Sequence, residues 1–99
     1  MRFRARIDSN QPAIVKALRE AGATVLHLHA VGHGCPDLCV GLKGKNYLFE
    51  IKDPTKRPSQ RQLTDDEKAV FYAWRGQIDK IETVEEAFAI LESTLGHRG

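Results

Sequence analysis

Long apolar runs are missing from this chain. No stretch of its 99 residues approaches the ~18 consecutive apolar positions of a membrane span, so no membrane partner is expected. Residues 1–6 (MRFRAR) carry charge with no apolar segment behind them, which is unlike a secretory leader. Cysteine is scarce. Cys35 and Cys39 are the two present, four apart in what reads as one strand. There their backbones would stand roughly 13 Å apart, too far to bridge, so a reducing cytoplasm is the expected compartment. With His33 they form one short cluster with no second ligand pair, which speaks against structural zinc. Aromatics make up 7% of the residues, and no repeat, low-complexity tract or linker divides the sequence. The length therefore suits one domain near the lower size limit for a core without staples.

Charge is present, and it is unevenly placed. The net value of +2 conceals eleven Lys/Arg against five Asp/Glu in residues 1–61. Residues 62–95 hold three against eight. Such a split suggests a first part that faces a polyanion and a second that is a solvated scaffold.

The apolar pattern gives the order α-β-β-β-α-β-α, an α/β architecture in which a mixed β-sheet is flanked by helices. The arm 1–8 alternates Arg2, Arg4 and Arg6 with Phe3, Ala5 and Ile7, which fits either an edge strand or a loosely held basic arm. A first helix is expected after Asn10 as N-cap, with Ile14, Val15, Leu18 and Ala21 as its stripe and Gly22 at its end. Strands are expected at 24–29, 37–42 and 47–52, the last two joined by a loop at 43–46 and so antiparallel. Residues 53–62 read as loop. Thr64 with Glu67, and Thr83 with Glu86, have capping-box spacing and open two further helices around a short strand at 77–81. Val70, Phe71 and Trp74 are expected to pack the second helix on the core, ahead of any role for Trp74 in base stacking. Val84, Ala87, Phe88, Leu91 and Leu95 do the same for the third.

The chemistry concentrates between residues 34 and 52. Gly34-Cys-Pro-Asp37 opens one strand and Glu50-Ile-Lys52 ends the next. Side chains alternate along a strand, so Glu50 and Lys52 share a face while Ile51 points to the core. The hairpin brings Asp37 beside them. Asp37 and Glu50, with the Ile51 backbone carbonyl, are a donor set suited to Mg²⁺ or Mn²⁺, hard cations that favour oxygen. Such an ion polarises a phosphoryl oxygen and acidifies a bound water. Lys52 can orient that water or balance charge developing on phosphorus. The basic residues Lys43, Lys45, Lys56, Arg57 and Arg61 surround these positions and form an expected phosphate clamp, with salt-dependent and largely sequence-independent binding. His33, just before Asp37, can reach a scissile phosphate or simply serve the glycine-rich turn.

These residues resemble the VRR-NUC-like branch of the PD-(D/E)XK nuclease superfamily, particularly small stand-alone members encoded by phages and prophages. Gly34-Cys-Pro-Asp37 is similar to its G-x-P-D, Glu50-Ile-Lys52 to its E-[IV]-K, and residues 63–67 to its L-[ST]-x-x-Q. Further similarity at 74–76, 77–81 and 83–87 extends the resemblance over roughly residues 8–92. It implies a restriction-endonuclease-like fold and a metal-dependent phosphodiesterase acting on DNA, with Asp37, Glu50 and Lys52 as its catalytic set. Some stand-alone relatives are dimers that prefer branched or junction DNA, so a homodimer is expected. The family's helix-one acid is absent, and Asp8 and Gln11 are the two candidates for its place. Glu67 stands where the family has Gln, and either a site contact or the helix cap accounts for it. The alternative to an enzyme is a DNA-binding module that keeps the fold without turnover.

Overall fold

The computed structural model describes residues 8–95, and the basic arm up to Ile7 lies outside them. The elements run α1 (Gln11–Glu20), β1 (Thr24–His27), β2 (Leu38–Leu42), β3 (Lys45–Ile51), α2 (Asp65–Ala73), β4 (Ile78–Ile81) and α3 (Val84–Leu95), the order expected from the sequence. Two single 3₁₀ turns, at His29–Val31 and Pro58–Arg61, interrupt the connections. The strands form one mixed sheet in the order β1-β2-β3-β4. β1/β2 and β2/β3 are antiparallel, whereas β4 joins β3 in parallel after the α2 crossover. Among the described residues no helix is long and apolar enough to cross a membrane.

Alternation along the strands divides the sheet into two unlike faces. One carries Val25, Leu38, Val40, Tyr47, Phe49, Ile51 and Ile81, all buried against Ile14, Val15 and Leu18 of α1 and Ala87 and Leu91 of α3. Burying each of the larger side chains contributes about 1.5–3 kcal/mol, so the core lies on this side. The opposite face carries Leu26, Cys39, Leu48 and Ile78 in one row across all four strands, with Glu50 and Lys80 paired two residues further along.

Several local expectations change. β1 ends at His27, because Leu28 leaves the extended region (φ −114, ψ 0) while its N–H bonds the Asp37 carbonyl. His27 and His29 therefore do not share a strand face; their rings meet edge to face with centroids 6.2 Å apart. β2 begins at Leu38, which leaves Asp37 at its mouth and Cys35 in the preceding turn, off the strand; both cysteines are free. The hairpin loop is only Lys43 and Gly44, with φ of 51 and 81, the paired left-handed conformation of a tight hairpin, so β3 starts at Lys45.

Asn10 makes no side-chain cap. Its amide is used elsewhere, donating to the carbonyls of Lys52 (3.0 Å) and Glu82 (2.9 Å). The Thr64–Glu67 capping box forms in both directions, whereas the Thr83–Glu86 pair forms only one half, the Glu86 carboxylate accepting the Glu82 N–H instead. Glu67 N–H donates to Thr64 Oγ1, and Glu86 N–H donates to Thr83 Oγ1. The third helix packs as expected, although the Leu95 side chain lies outside the described residues.

The second helix does not pack as expected. α2 buries no residue: Val70 and Phe71 are half-buried, and Trp74, which ends the helix in an extended conformation, is 48% exposed. The sheet supplies α1 and α3 with a full apolar face, whereas α2 approaches the face that carries Glu50.

Gly34 fixes that approach. Its φ is +82, and a Cβ there would stand 2.4 Å from the Asp66 carbonyl oxygen and 3.0 Å from the Glu67 nitrogen. The turn before β2 and the first turn of α2 are thus in backbone contact. Gly44 has nearly the same φ, +81, but a Cβ there meets nothing within 4 Å. Gly44→Ala should therefore cost only left-handed strain, about 1–2 kcal/mol. Gly34→Ala should cost clearly more, about 3 kcal/mol or above, since α2 must also move. Urea denaturation of the two variants measures the difference, and equal losses would dismiss the α2 contact.

Candidate active site

The site is assembled at the end of the β2–β3 hairpin away from its turn. Asp37 is anchored by the backbone: the Ile51 N–H donates to its Oδ2 at 2.7 Å. In an antiparallel ladder the N–H and C=O of one residue face the same neighbour, so the Ile51 carbonyl also turns to the Asp37 side. Glu50 and Lys52 leave β3 on the face opposite the core and are nonetheless buried, at 5% and 9% exposure. Lys52 Nζ lies 3.6 Å from Glu50 Oε2 and donates to Glu67 Oε1 at 2.9 Å. The same Glu67 oxygen accepts the Thr64 N–H at 2.9 Å. Glu67 therefore caps α2 and holds the lysine with one atom, so the two roles left open by the sequence coexist.

Three carboxylates and an ammonium thus share a small, largely dry volume. Burial first, then the charges of Asp37 and Glu67 and a hydrogen bond to Glu67, push Glu50 up to about 9 against the pull of Lys52. Burial also raises Asp37, opposed by the Ile51 N–H. Burial lowers the affinity of Lys52 for its proton, but the Glu67 bond and the surrounding carboxylates outweigh this and leave it raised. Glu67 is held below its ordinary value: burial works against this, but the Lys52 and Thr64 donors prevail. Cys35 borders the cluster, its thiol pushed up by burial and by the charges of Glu50 and Asp37. The sequence held a signal for it, since Cys35 precedes Asp37 by only two residues.

The chain leaving Lys52 is pinned. Asp53 accepts from the Thr55 N–H (2.9 Å), the Thr55 hydroxyl (2.7 Å) and the Ser9 hydroxyl (2.8 Å), which together hold its carboxyl low. This ties the residues before α1 to the exit of β3 and brings Asp8 close. Asp8 sits 3.5 Å from Lys56, and its charge is felt at Asp37 and Lys52. Gln11, the other candidate for the helix-one position, is buried, its Nε2 3.4 Å from His27 Nδ1. His33 is exposed, with a left-handed backbone at φ 57.

The basic residues separate into two groups. Lys43 and Lys45 flank the hairpin turn, five to six strand residues from Asp37, or about 15–20 Å. They do not join the loop after Lys52. Within that loop Arg57 is exposed, Lys56 faces Asp8, and Arg61 reaches the Pro54 carbonyl (3.1 Å) and Glu82 (3.6 Å).

No family model, curated protein or solved structure matches the chain.

Among the described residues, no set of three or more His, Cys, Asp and Glu side chains stands ready to hold a metal. Asp37, Glu50 and the Ile51 carbonyl instead form a two-carboxylate oxygen set. Mg²⁺ is commonly held by one or two carboxylates with water completing its shell, so the set fits such an ion.

That crowding has a consequence for stability. The folded protein keeps a proton on Glu50 that the unfolded chain releases above its ordinary value of 4.5. Folded protein binds more protons in that window, so stability falls as pH rises from about 5 to about 9, by at most about 1.4 kcal/mol per pH unit for one proton. The Glu67 shift acts in the opposite sense, at the acid end of the range. Glu50→Gln should remove most of the decline and leave the variant more stable than wild type at pH 8. Denaturant midpoints at pH 5.5, 7 and 8.5 in chelator measure this; parallel curves for the two proteins would refute the assignment.

Proposed function

We propose that this protein is a metal-dependent nuclease that hydrolyses DNA phosphodiester bonds, with a restriction-endonuclease-like fold of the PD-(D/E)XK kind. One observation carries the reading: Asp37, Glu50 and Lys52, drawn from two segments thirteen residues apart, meet in one cluster in which Glu50 and Lys52 are buried and Asp37 is half-buried. Surface Glu/Lys pairs need no such burial, and withdrawing carboxylates from water lowers stability, a cost characteristic of functional sites. The element order and the capped α2 that follows the Glu50-Ile-Lys52 strand agree with the resemblance in the sequence.

Asp37, Glu50 and the Ile51 carbonyl would hold the ion, Mg²⁺ or Mn²⁺. When bound, it supplies a Lewis acid for a phosphoryl oxygen and a more acidic water. The protein's own contribution rests with Lys52. Its ammonium stays charged and is aimed by Glu67, so it can donate to the attacking water or to an oxygen gaining charge at phosphorus. Asp8 would add negative charge at the edge of the set, as one of the two candidates for the family's helix-one acid. The loop carrying Lys56, Arg57 and Arg61 follows Lys52 directly and would grip the flanking phosphates, with Lys43 and Lys45 reaching a more distant part of a duplex. A homodimer would enlarge the small basic face by presenting two copies to one substrate, which suits branched DNA.

The decisive assay uses linear, flapped and four-way-junction DNA with Mg²⁺ or Mn²⁺. Asp37→Asn, which is nearly isosteric, should abolish cleavage while DNA affinity persists, and Lys52→Ala should lose at least about 100-fold in rate. The metal should raise the melting temperature of wild type and leave Asp37→Asn unmoved, because only an intact site binds it. A wild-type protein that binds all three DNAs and cuts none would instead be a non-catalytic structure-recognising module.

Neutralising Lys56, Arg57 and Arg61 together should weaken DNA binding at low salt. It should also reduce the slope of log affinity against log salt by about 2–3, since each phosphate contact contributes about 0.9. Titration at several salt concentrations measures it; an unchanged slope would remove the clamp.

A further inference from the structure

We propose that the cleft between α2 and β4 seats one unpaired nucleotide of the strand being cut, an inference that rests on the nuclease reading and narrows its substrate. Gln62, Leu63, Lys68, Phe71, Tyr72 and Lys80 line this cleft, whose volume is about 280 Å³. Its lining holds two ammonium groups, two aromatic rings and one amide, with no carboxylate. That combination matches the phosphate, base face and base edge of a nucleotide. Protein grooves that hold single strands join positive charge to stacking aromatics in the same way.

The position of the cleft decides its role. Lys80 is the cross-strand partner of Glu50, and the two side chains leave the sheet on the same face. Adjacent strands are about 4.8 Å apart, so the cleft opens one strand away from the carboxylate cluster. A phosphate near Lys52 would place the next nucleotide of its strand within reach of Lys80.

Lys80 is partly engaged, donating to the Arg61 carbonyl at 3.0 Å and standing 3.9 Å from Glu82. Lys68 has no ion-pair partner among the described residues and is exposed on the helix. Tyr72 is 84% exposed, so its ring is already available as a stacking surface.

Size selects a single base. The volume falls just below the range of about 300–1,000 Å³ that encloses drug-sized ligands, too little for a base pair. A second protein copy is a poor occupant, since stable interfaces use about 20–30 residues a side. The substrate so defined has an unpaired base beside the cleaved bond, as a flap, a junction branch or a single strand does.

The test compares fluorescence-labelled oligo-dT with a blunt, fully paired duplex by anisotropy, in chelator so that nothing is cut. Tyr72→Ala should weaken oligo-dT binding about ten-fold, the loss of one stacked base, and leave the duplex within about two-fold. Tyr72→Phe should bind as wild type, because the ring is kept. Lys68→Ala should weaken oligo-dT and lower its salt slope by about 1. Unchanged oligo-dT affinity in Tyr72→Ala, an equal loss on both DNAs, or a dimer in sedimentation that Tyr72→Ala dissociates, which would give the cleft to a second copy, would each overturn the proposal. Cleavage by the wild-type protein is scored separately. Cutting without the Tyr72 effect removes the cleft alone. The Tyr72 effect without cutting removes hydrolysis and leaves a single-strand binding site.

Discussion

Three carboxylates and one ammonium crowd together at the open end of the β2–β3 hairpin, Glu50 and Lys52 buried and Asp37 and Glu67 half-buried, and much of the surrounding structure answers to that constraint. Buried charge is tolerated only where each group finds a partner, and here there are more negative groups than positive ones. Part of the imbalance is met by the backbone, through the Ile51 N–H on Asp37 and the Thr64 N–H on Glu67. Lys52 meets another part, bridging Glu50 and Glu67. The remainder stays as a proton on Glu50, whose carboxyl is pushed up to about 9. A group left in this state is one for which a positive charge from outside the chain would be the better partner. Electrostatics and the proposed metal chemistry therefore point to the same two side chains.

The rest of the fold keeps those groups in place with little apolar help on their own side of the sheet. The full core lies on the other face, under α1 and α3, and makes the hairpin a rigid platform. From there the polar ties are short and local. Asn10 clamps the Lys52 and Glu82 carbonyls, while Ser9 and Thr55 fix Asp53 at the exit of β3. The start of α1 is thereby bound to the end of β3 by side-chain hydrogen bonds, which is how Asp8 comes to lie near the cluster without belonging to any helix.

How much of this was legible in the sequence depends on whether the determining interaction was local. The hairpin was legible because alternation and a two-residue turn specify it, and with it the meeting of Asp37, Glu50 and Lys52. The Thr64–Glu67 capping box was legible for the same reason, as the two residues lie three apart. What alternation could not tell was which face each helix would cover. The spacing of Val70, Phe71 and Trp74 suggests a buried stripe, yet α2 meets the sheet face that carries Glu50 and stays largely exposed. Lys43 and Lys45 are close to Lys52 in charge pattern but are carried to the far end by the length of the strands. The two candidates Asp8 and Gln11 were separated only by tertiary contacts, Asp8 with Lys56 and Gln11 with His27. The end of β1 was hidden too, because Leu28 leaves the extended region while its N–H bonds the Asp37 carbonyl, nine residues away.

The exposed state of α2 follows from the way it is attached. Its anchors are at its first turn: the Thr64–Glu67 box, the Lys52 ion pair and the close backbone approach at Gly34. A nine-residue helix without a buried face is marginal by itself, so its order depends on these few contacts. Glu67 belongs to two of them at once, and whatever alters the charge on Lys52 or Glu50 must alter the tether of α2. The dependence runs in both directions, because a displaced α2 would leave the Lys52 ammonium without its closest acceptor. Helix and site are therefore one cooperative unit, and the aromatic residues on α2 are carried by an element whose order is set by the chemistry of the cluster beside it.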